Sequence, residues 1–496
     1  MKTISPFCKL TEDQISRLEN KVLIGGKLIK PHSTNSFPVI HSARLQEVCH
    51  QINCDSQDVD HAVATAKQAQ KEWARKMPRQ RGTLLQTALA KVSLAKDEIV
   101  QLLTLETSKA VRTESELDFA AAIDIFGFFS GLGSEIKGQT LPFRPDVLAY
   151  TVREPLGVVG AIIPWNVPLM LMALKVGPAL VAGNSVVVKT SEYAPLATLR
   201  FAEILNETLP PGILNVISGH GNPTGQELIN HPSVNKITFT GSVATGKTIY
   251  RQSADRLIPV TLELGGKSPM IICGDADLDK VVQGAFQGMR FTRQGQSCSA
   301  GSRIFAHEDL IEPFLQKLGQ RLENLVIGDP FDPKVEAGAV ACQMQYDKIQ
   351  GYLGALERGQ YRQFSSKPQG AELSKGLFMV PTVVTGAKES DSIATEEVFG
   401  PVVCVFPWKK TDDVIRRANQ TSYGLAATVW TQNIQTALQM TDQLEAGFVQ
   451  VNQNLVVQAT LSYGGYKNSG LGKEASLESM IEHFTKSKTV MMAREV

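Results

Sequence analysis

The chain has 496 residues, of which 43% are hydrophobic, enough for two or three domains with cores of their own. Its 50 Lys and Arg residues are balanced by 49 Asp and Glu residues, and the net charge of +1 argues against a protein that binds nucleic acid or an anionic membrane. The seven cysteines form no C-x-x-C motif and no cluster with zinc spacing, so we expect free thiols in a reducing cytosol and no metal site.

The N-terminal sequence MKTISPFCKLTEDQ lacks the apolar core of a signal peptide, which favours a cytoplasmic protein. The most membrane-like stretch, residues 156–189, is interrupted by prolines, glycines, an asparagine and a lysine, and few bilayer-spanning helices are broken so often. Its pattern instead predicts a strand (VVGAII), a loop (PWN), a buried helix from Pro168, a turn and a second buried strand (SVVVK).

Helical and strand patterns alternate over most of the chain. Two helical patterns, QDVDHAVATAKQAQKEWAR and RGTLLQTALAKVSLAKDEIVQLLTLET, are followed by apolar strands VVGAII, SVVVK, LNVIS and KITFT. A second series starts near Pro269 with PMIIC, SRIFA, TVVTG, VVCVF, ATVWT and FVQVN. Continuous apolar strands separated by helices indicate a parallel sheet covered on both faces, so we predict an α/β fold with a boundary near residues 259–261.

Two segments fit neither half of the chain. IKGQTLPFRPDVLAYTVREP alternates like a pair of strands, and the tail HFTKSKTVMMAREV ends in another strand-like run. Exposed strand edges need partners, so both segments are candidates for subunit contacts. The alternative is a local hairpin and a frayed tail.

The stretch ITFTGSVATGKT contains, at residues 241–248, a letter-for-letter match to G-x-x-x-x-G-K-[ST], the phosphate loop of nucleotide triphosphatases. Glycines that lead into a helix N-terminus suit any phosphate, however, so the match does not single out a triphosphatase. The stretch PMIICGDAD is a poor candidate for a magnesium-binding strand end, which argues against an ATPase.

Two side chains have surroundings that suit covalent catalysis. Cys298 lies among small residues in GQSCSAGSR, where a thiolate has room to attack a carbonyl carbon; the alternative is a buried packing cysteine. Glu263 follows an apolar run in TLELGGKSP, where a raised pKa would suit a general base; the alternative is a cap or turn residue.

Three polar residues follow predicted strands. Asn166, in the proline-restrained loop PWNVP, has an amide that suits stabilisation of an oxyanion, although a simple turn asparagine is commoner. Lys189 and Glu192 come just past a buried strand, where ligands bind in open α/β sheets; the alternative is a pair of solvated loop charges.

In order and in spacing, these motifs resemble the aldehyde dehydrogenase superfamily. The resemblance runs from about Val22 to the tail and rests on PWNVPL, KTSE, PGILNVISG, FTGSVATG, LELGGKSP, GQSCSAGSRIF, EEVFGPV, NQTSYGLAATVWT and GGYKNSGLGKE. It implies a Rossmann-like cofactor domain, an α/β catalytic domain and a small β oligomerisation element. The expected extents are 1–134 and 155–258 for the cofactor domain, 259–455 for the catalytic domain, 135–154 and 484–496 for the oligomerisation strands, and 456–483 for a return segment.

The resemblance also implies a mechanism and its residues. Cys298 matches the nucleophile, Glu263 the base that activates the deacylating water, and Asn166, with the Cys298 backbone N–H, the oxyanion hole. Aldehyde is then oxidised through a thiohemiacetal and a thioester to a carboxylic acid, with NAD as cofactor. The residues expected to contact NAD are Trp165, Lys189, Glu192, Gly221, Gly225, Gly241, Ser242, Leu264, Glu397 and Phe399. The implied partners are a small-molecule aldehyde and further copies of the chain, in a homodimer or homotetramer.

Several positions depart from the family pattern without removing a catalytic group. Thr190 stands where proline is usual, Arg293 where asparagine is common, and Ser462 where proline is usual. A carboxylate at Glu192 would accept a hydrogen bond from the ribose 2′-hydroxyl and repel a 2′-phosphate, which favours NAD over NADP. Lys247 and Thr248 complete the triphosphatase pattern by chance.

Two alternative functions stay open. CoA-acylating relatives lack the glutamate found here at position 263, and a catalytically silent, scaffold-type relative would not need Cys298, Glu263 and Asn166.

The residues expected to line the substrate tunnel are Met170, Leu174, Leu455 and Val457. Such a lining favours medium-sized apolar or aromatic aldehydes, and its lack of aromatic side chains makes a betaine-type substrate less favoured.

Arg290 and Arg293 precede the nucleophile motif and bear on the same question. If either side chain points into the tunnel, it would pair with a substrate carboxylate, and a semialdehyde acid would be preferred. The interpretation favoured from the sequence is that both arginines form structural ion pairs or face solvent.

Overall fold

A computed structural model describes residues 4–357, 359–364, 367–369, 373–454 and 457–494 of the chain. The strands are, in chain order, β1 (Val22–Ile24), β2 (Lys27–Ile29), β3 (Ser36–His41), β4 (Gln46–Ile52), β5 (Thr140–Arg144), β6 (Val147–Pro155), β7 (Val158–Ile162), β8 (Ser185–Lys189), β9 (Leu214–Ile217), β10 (Val234–Thr240), β11 (Val260–Glu263), β12 (Pro269–Ile272), β13 (Arg303–His307), β14 (Val326–Gly328), β15 (Tyr361–Gln363), β16 (Lys367–Gln369), β17 (Thr382–Val384), β18 (Val402–Trp408), β19 (Ala426–Trp430), β20 (Phe448–Val451), β21 (Gly470–Leu471) and β22 (Thr485–Ala493).

The α-helices are α1 (Glu12–Ser16), α2 (Ser56–Arg75), α3 (Pro78–Leu94), α4 (Lys96–Thr107), α5 (Glu116–Gly131), α6 (Pro168–Val181), α7 (Leu196–Asn206), α8 (Gln226–Asn230), α9 (Val243–Ala254), α10 (Leu278–Gly288), α11 (Ile311–Glu323), α12 (Gln343–Gly354), α13 (Ser392–Thr395), α14 (Thr411–Asn419), α15 (Ile434–Gln443) and α16 (Leu477–Phe484).

The first large sheet has the strand order β2-β1-β9-β8-β7-β10-β11-β21. Its centre, from β9 to β11, is parallel, whereas β1, β2 and β21 add antiparallel edges. Strands β7 and β8 are buried at every residue, because their runs of apolar side chains are covered by helices on both faces. Helix α6 is likewise buried along its whole length, as its nearly uniform apolar sequence requires.

The second large sheet has the order β15-β17-β18-β13-β12-β19-β20 and is parallel except at β15. The boundary near residues 259–261 stays a prediction, but β11 pairs with β10 in the first sheet, with Thr240 opposite Glu263. The chain therefore leaves the first sheet only after Glu263. Residues 264–268, between the two sheets, carry the Gly265-Gly266 turn that reaches the site described below.

A third sheet joins the two segments that fitted neither half. Strand β6 pairs with β5 on one side and with β22 on the other, from Pro155 opposite Thr485 to Val147 opposite Ala493. The tail is thus a paired strand rather than a frayed end. Two small sheets, β3-β4 and β14-β16, complete the pairing within the described ranges.

One helical stretch in the described part of the chain, Val111–Glu135, is long and apolar enough by composition to cross a membrane, with a mean hydropathy of 1.3. Its aromatic side chains pack inside the protein: the rings of Phe119 and Phe126 lie 6.2 Å and 5.6 Å from that of Phe201 on α7. This stretch therefore forms part of the hydrophobic core of the first sheet's helical layer.

Candidate active site

Cys298 lies in the loop between a 3₁₀ turn at Phe291–Arg293 and strand β13. The loop packs against the inter-sheet turn, so closely that a Cβ on Gly266 would lie 2.3 Å from the Cys298 carbonyl oxygen. The backbone N–H of Cys298 has no hydrogen-bond acceptor among the described residues. The Cys298 Sγ lies 3.9 Å from the hydroxyl oxygen of Tyr463. Cys298 therefore offers both a thiol and an unpaired backbone N–H close to the Tyr463 hydroxyl.

Burial controls the ionisation of this thiol. Burial, with smaller contributions from Glu397 and Glu263, raises the pKa of Cys298 to about 11, although the contact with Tyr463 acts in the opposite direction. At neutral pH the group is mostly thiol, and the thiolate becomes more populated as the pH rises.

Asn166 is held beside Cys298 by contacts on both its polar groups. Its side-chain Nδ2 donates to the backbone carbonyl of Gln296 at 3.2 Å, and its backbone carbonyl accepts from Lys109 Nζ at 2.9 Å. Lys109 is in turn fixed by a buried ion pair with Asp118 at 3.1 Å, and Asp118 also accepts the backbone N–H of Met170 at 2.9 Å. The second N–H of the Asn166 amide has no acceptor among the described residues, which suits the oxyanion role predicted for it.

Glu263 ends strand β11 and is buried, yet neither of its carboxylate oxygens has a hydrogen-bond partner among the described residues. Burial raises the pKa of Glu263 well above its usual value, and the neighbouring Glu474 raises it further. Glu474 is itself tied to Lys175 by a buried ion pair at 2.7 Å. A Cβ on Gly464 would lie 2.7 Å from Glu263 Oε1, so the absent side chain leaves room beside the carboxylate. An unpaired buried carboxylate of raised pKa suits a general base.

A cavity of about 260 Å³ opens on Cys298. Its walls bring together eight of the residues predicted for catalysis or cofactor binding, which are Trp165, Asn166, Gly241, Ser242, Leu264, Cys298, Glu397 and Phe399. Pro164, Thr240, Gly265, Met344, Gln345 and Lys348 complete the walls. Residues from both large sheets therefore form one site.

Glu397 and Phe399 form one wall of this cavity. Glu397 Oε1 accepts the backbone N–H of Gly266 at 2.9 Å, and burial raises the pKa of its carboxyl. A Cβ on Gly265 would lie 2.4 Å from Glu397 Oε2, so this approach depends on glycine. The ring of Phe399 meets that of Trp165 edge to face at 5.5 Å, and its backbone has a φ of 56°. These contacts hold both side chains against the cavity.

The remaining predicted cofactor residues cluster outside this cavity, around the end of β8. Lys189 is buried, which lowers its pKa, and its Nζ lies 3.6 Å from Glu192. Glu192 also lies 3.6 Å from His220, which directly precedes the Gly221–Gly225 turn. Gly221 is exposed, whereas Gly225 is buried. The cluster lies at the carboxyl end of a parallel strand, as expected for a ligand site in an open α/β sheet.

The 12-residue helix α9 begins between these two groups of residues. Ser242 caps it, accepting the Thr245 backbone N–H at 3.2 Å, and the Gly241 N–H donates to the Glu263 carbonyl at 3.0 Å. A Cβ on Gly241 would lie 2.5 Å from the Phe239 ring, so the turn needs glycine. Lys247 and Thr248 are exposed and do not line the cavity, which leaves the triphosphatase pattern without its lysine. The helix N-terminus, the glycine turn and the flanking carboxylate at Glu192 fit a dinucleotide.

A second cavity of about 960 Å³, called the funnel below, is lined by residues that precede Cys298 in the chain and by Val167 and Met170, which follow Asn166. Met170 and Val457 line it, together with Val167, Ile125 and Arg290. Leu455 and Val456 lie outside the described residues.

The prediction that Leu174 lines the tunnel is wrong. Leu174 lies one turn beyond Met170 on α6 and is buried in the hydrophobic core, outside the funnel wall. Helical spacing puts both side chains on one face, but only the first turn of α6 reaches the funnel.

The two arginines before the nucleophile differ. Arg293 is buried and its Nε donates to Glu114 Oε2 at 2.6 Å, which makes it the structural ion pair favoured from the sequence. Arg290 lines the funnel, with a backbone φ of 56°.

Sequence reasoning missed several residues of the site. Lys109 and Gln296 position Asn166, and Tyr463 contacts Cys298. Tyr463 stands directly before the quoted motif that starts at Gly464, so a closer reading of that motif would have found it. Met344, Gln345 and Lys348 lie on the first two turns of α12, in a stretch with no motif, and only the packing of α12 against the cavity reveals them.

Residues 28–490 match the family model described as "Aldehyde dehydrogenase family". The chain is 38% identical over 479 residues to a protein named "Benzaldehyde dehydrogenase, mitochondrial" from Antirrhinum majus, covering 96% of this chain and 89% of that protein. It is also 38% identical over 484 residues to "Retinaldehyde dehydrogenase 3" from Rattus norvegicus, covering 95% and 92%.

Solved structures are similar over the whole chain. The NAD⁺ complex of an aldehyde dehydrogenase from Bacillus cereus superposes with a TM-score of 0.93 at 36% identity, covering 98% of this chain and 99% of that one. A betaine aldehyde dehydrogenase from Staphylococcus aureus, in complex with NAD⁺, gives a TM-score of 0.92 at 32% identity, covering 99% and 98%.

Proposed function

Because the chain belongs to the aldehyde dehydrogenase family, and is an NAD-dependent aldehyde oxidoreductase, we propose that it forms a thioester on Cys298 and hydrolyses it with the help of Glu263. The released product is a carboxylic acid. The observation that carries this proposal is the juxtaposition, in one site, of a thiol and a buried carboxylate with no hydrogen-bond partner among the described residues.

In the first half of the reaction, the Cys298 thiolate attacks the aldehyde carbon and the carbonyl oxygen takes up negative charge. The second N–H of the Asn166 amide and the unpaired backbone N–H of Cys298 donate to that oxygen. Oxidation of the thiohemiacetal carbon needs a hydride acceptor, which is the chemistry that NAD would supply when bound. Trp165, Ser242, Leu264, Glu397 and Phe399 would hold it in the cavity, and the carboxylate of Glu192 would bind its adenosine ribose.

In the second half, Glu263 takes a proton from water as the water attacks the thioester carbon. The same two N–H donors stabilise the second oxyanion, and its collapse releases the acid and returns the Cys298 thiolate. The raised pKa of Glu263 makes it a stronger base than a solvated carboxylate, and the absence of a side chain at Gly464 leaves space beside it. A catalytically silent relative would have no use for this arrangement, and a CoA-acylating enzyme would not need the carboxylate.

The substrate reaches Cys298 through the funnel, and its carbon skeleton is apolar and of middling size. Met170, Val167, Ile125 and Val457 supply apolar walls. Such walls accept several chain lengths, because one missing methylene costs only about 1–3 kcal/mol of binding.

The protein works as a homodimer or homotetramer in the cytoplasm. Among the described residues, strand β5 pairs only with β6 and so leaves one edge of the third sheet open. The sheet also carries exposed apolar side chains, with Phe143 on β5 60% exposed and Met491 on β22 56% exposed. A second copy would cover both features. All seven cysteines are free thiols, which suits a reducing compartment. Light scattering after size exclusion should give a mass two or four times that of the chain, and a monomer would contradict the proposal.

Absorbance at the nicotinamide band, followed with aldehydes of differing size, tests the function. We expect NADH to form with hexanal and benzaldehyde, and chromatography to identify the free acid as product in the absence of CoA. Reduction that requires CoA and yields an acyl-CoA would replace the hydrolytic step with acyl transfer. A folded protein that reduces no NAD with any aldehyde would contradict the proposal altogether.

A further inference from the structure

The guanidinium of Arg290 makes no hydrogen bond and no ion pair with any described residue, and the residue is only partly exposed on the wall of the funnel. Its side chain lines the funnel, and it also lines a small adjoining cavity together with Ser299 and Tyr463. Two more deeply buried arginines of the same region are engaged: Arg293 by Glu114, and Arg303 by the carbonyls of Lys267 and Ala418. A partly desolvated guanidinium without a protein partner attracts an anion more strongly than a fully solvated one, so the site favours an anion that the described residues do not supply.

The charges that surround Arg290 leave its positive charge uncancelled. Glu114 attracts it and Arg293 repels it, but Glu114 already accepts hydrogen bonds from Arg293 and Thr292. Asp118 is paired with Lys109, while Asp124 is exposed on the funnel's outer part, where solvent screens its charge. Burial lowers the pKa of Arg290 to about 10, which still leaves the guanidinium protonated at neutral pH.

The position of Arg290 relates it to the reacting aldehyde. Its second cavity is shared with Tyr463, whose hydroxyl lies 3.9 Å from the Cys298 Sγ. Met170 and Val457 line the funnel together with Arg290 and supply apolar walls. Asn454 lines it too, but its side-chain amide is already hydrogen-bonded to the Gly284 carbonyl and to Thr428. An aldehyde that reaches Cys298 from the funnel therefore passes the apolar side chains of Met170 and Val457, with the unpaired guanidinium of Arg290 beside them.

We propose that Arg290 binds a carboxylate at the far end of the substrate, so that the preferred substrate is an aldehyde acid whose two functional groups are separated by a short carbon chain. This inference rests on the proposed aldehyde oxidation at Cys298 and narrows its substrate class. It departs from the preference drawn from the sequence, in which both arginines form structural ion pairs or face solvent. Arg293 forms such an ion pair, whereas the unpaired planar fork of Arg290 is suited to a carboxylate.

The test compares substrates that differ only in the distal group, 6-oxohexanoate against hexanal and succinic semialdehyde against butanal. In the unmodified enzyme, kcat/KM should be at least tenfold higher for the carboxylate of one or both pairs, which corresponds to about 1.4 kcal/mol. This comparison needs no variant. Oxidation of hexanal without any preference for either carboxylate would overturn the inference and leave the proposed function standing. A folded enzyme that oxidises none of the four would overturn the proposed function.

A variant then assigns the preference to one side chain. Arg290→Met keeps an unbranched apolar stem and removes the charge, so the ratio of kcat/KM between carboxylate and uncharged substrate should fall towards one. The matched control is Arg416→Met, which removes a positive charge from the exposed surface of α14 and should keep the ratio. Arg290→Lys should restore part of the preference. An unchanged ratio in Arg290→Met, or an equal change in the control, would overturn the assignment.

Discussion

The two sides of Cys298 are built in different ways. The cofactor cavity measures about 260 Å³, and its walls come mostly from short segments with recognisable motifs, such as Trp165-Asn166 and Gly241-Ser242. The funnel measures about 960 Å³ and is lined largely by residues 112–125 and 283–293, together with residues 454 and 457–459. It carries three arginines and three acidic residues, whereas the cavity carries Lys348 and Glu397 as its charged lining.

This difference separates the reaction from the choice of substrate. The cavity depends on glycine turns and a helix N-terminus, which a short sequence specifies locally. The funnel depends on how distant helices pack, so its chemistry follows from tertiary contacts such as that between Arg293 and Glu114. Variants at the catalytic side should therefore affect every aldehyde alike, whereas variants of the funnel should discriminate between aldehydes.

The largest expected effect is that of Cys298→Ala. Without the nucleophile no thioester forms, so kcat/KM should fall at least about 10⁴-fold for every aldehyde, charged or uncharged. NAD affinity, measured by calorimetric titration, should stay within about threefold. Cys8→Ala is the control, because Cys8 is a free, partly buried thiol remote from the site. Retained turnover in Cys298→Ala would contradict the role of Cys298 as nucleophile, and with it the separation of a catalytic cavity from a substrate-selecting funnel.

Glu263→Gln should lower steady-state turnover by about 10²–10⁴-fold, because the amide cannot take a proton from water. The first turnover should survive, since thioester formation needs the thiolate and the oxyanion donors rather than this carboxylate. Stopped-flow absorbance should show a burst of one NADH per active site followed by a slow phase. Glu312→Gln, an exposed carboxylate on α11, is the control. Loss of the burst itself would assign Glu263 to the first half of the reaction.

The pH dependence of kcat/KM should be steep. The pKa of Cys298 is raised to about 11 by burial, so below that value the thiolate fraction rises about tenfold per pH unit. Between pH 7 and pH 9, kcat/KM should rise by up to about 100-fold, with little activity lost to other groups. A plateau reached below pH 8 would show that the thiol ionises far more easily than its burial indicates.

The smallest effect concerns the cofactor. The Glu192 carboxylate, near Lys189 and His220, should favour NAD over NADP by about tenfold or more in kcat/KM. Glu192→Gln should reduce that preference, because the neutral amide no longer repels a 2′-phosphate. Equal kcat/KM for the two cofactors in the unmodified enzyme would contradict this role for Glu192.

Much of the fold and of the reaction class could be predicted from the sequence, and the family and NAD dependence are confirmed. Strands such as β8 are buried throughout, and their runs of apolar residues predict them locally. The sequence placed a boundary near residues 259–261, whereas β11 joins the first sheet through parallel pairing with β10, a non-local contact that no local pattern records. The roles of Cys298, Glu263 and Asn166 stay predictions that the experiments above test.

The substrate side could be predicted least. Arg290 and Arg293 lie three positions apart in similar sequence, and only the fold shows that Glu114 pairs with one of them. The residues that position Asn166 could not be predicted for the same reason, since Lys109 and Gln296 contact it from segments 57 and 130 positions away in the chain. Leu174 was misplaced because helical spacing specifies a face but not how far along the helix a cavity extends.

The most direct test of the account is the covalent intermediate itself. Glu263→Gln is mixed with hexanal and NAD, quenched in acid and analysed as intact protein and as peptides by mass spectrometry. We predict that the protein gains one hexanoyl group in place of a hydrogen, that the group lies on the peptide containing Cys298, and that it is absent when NAD is omitted. NADH formation with an unmodified Cys298 peptide would contradict the thioester mechanism.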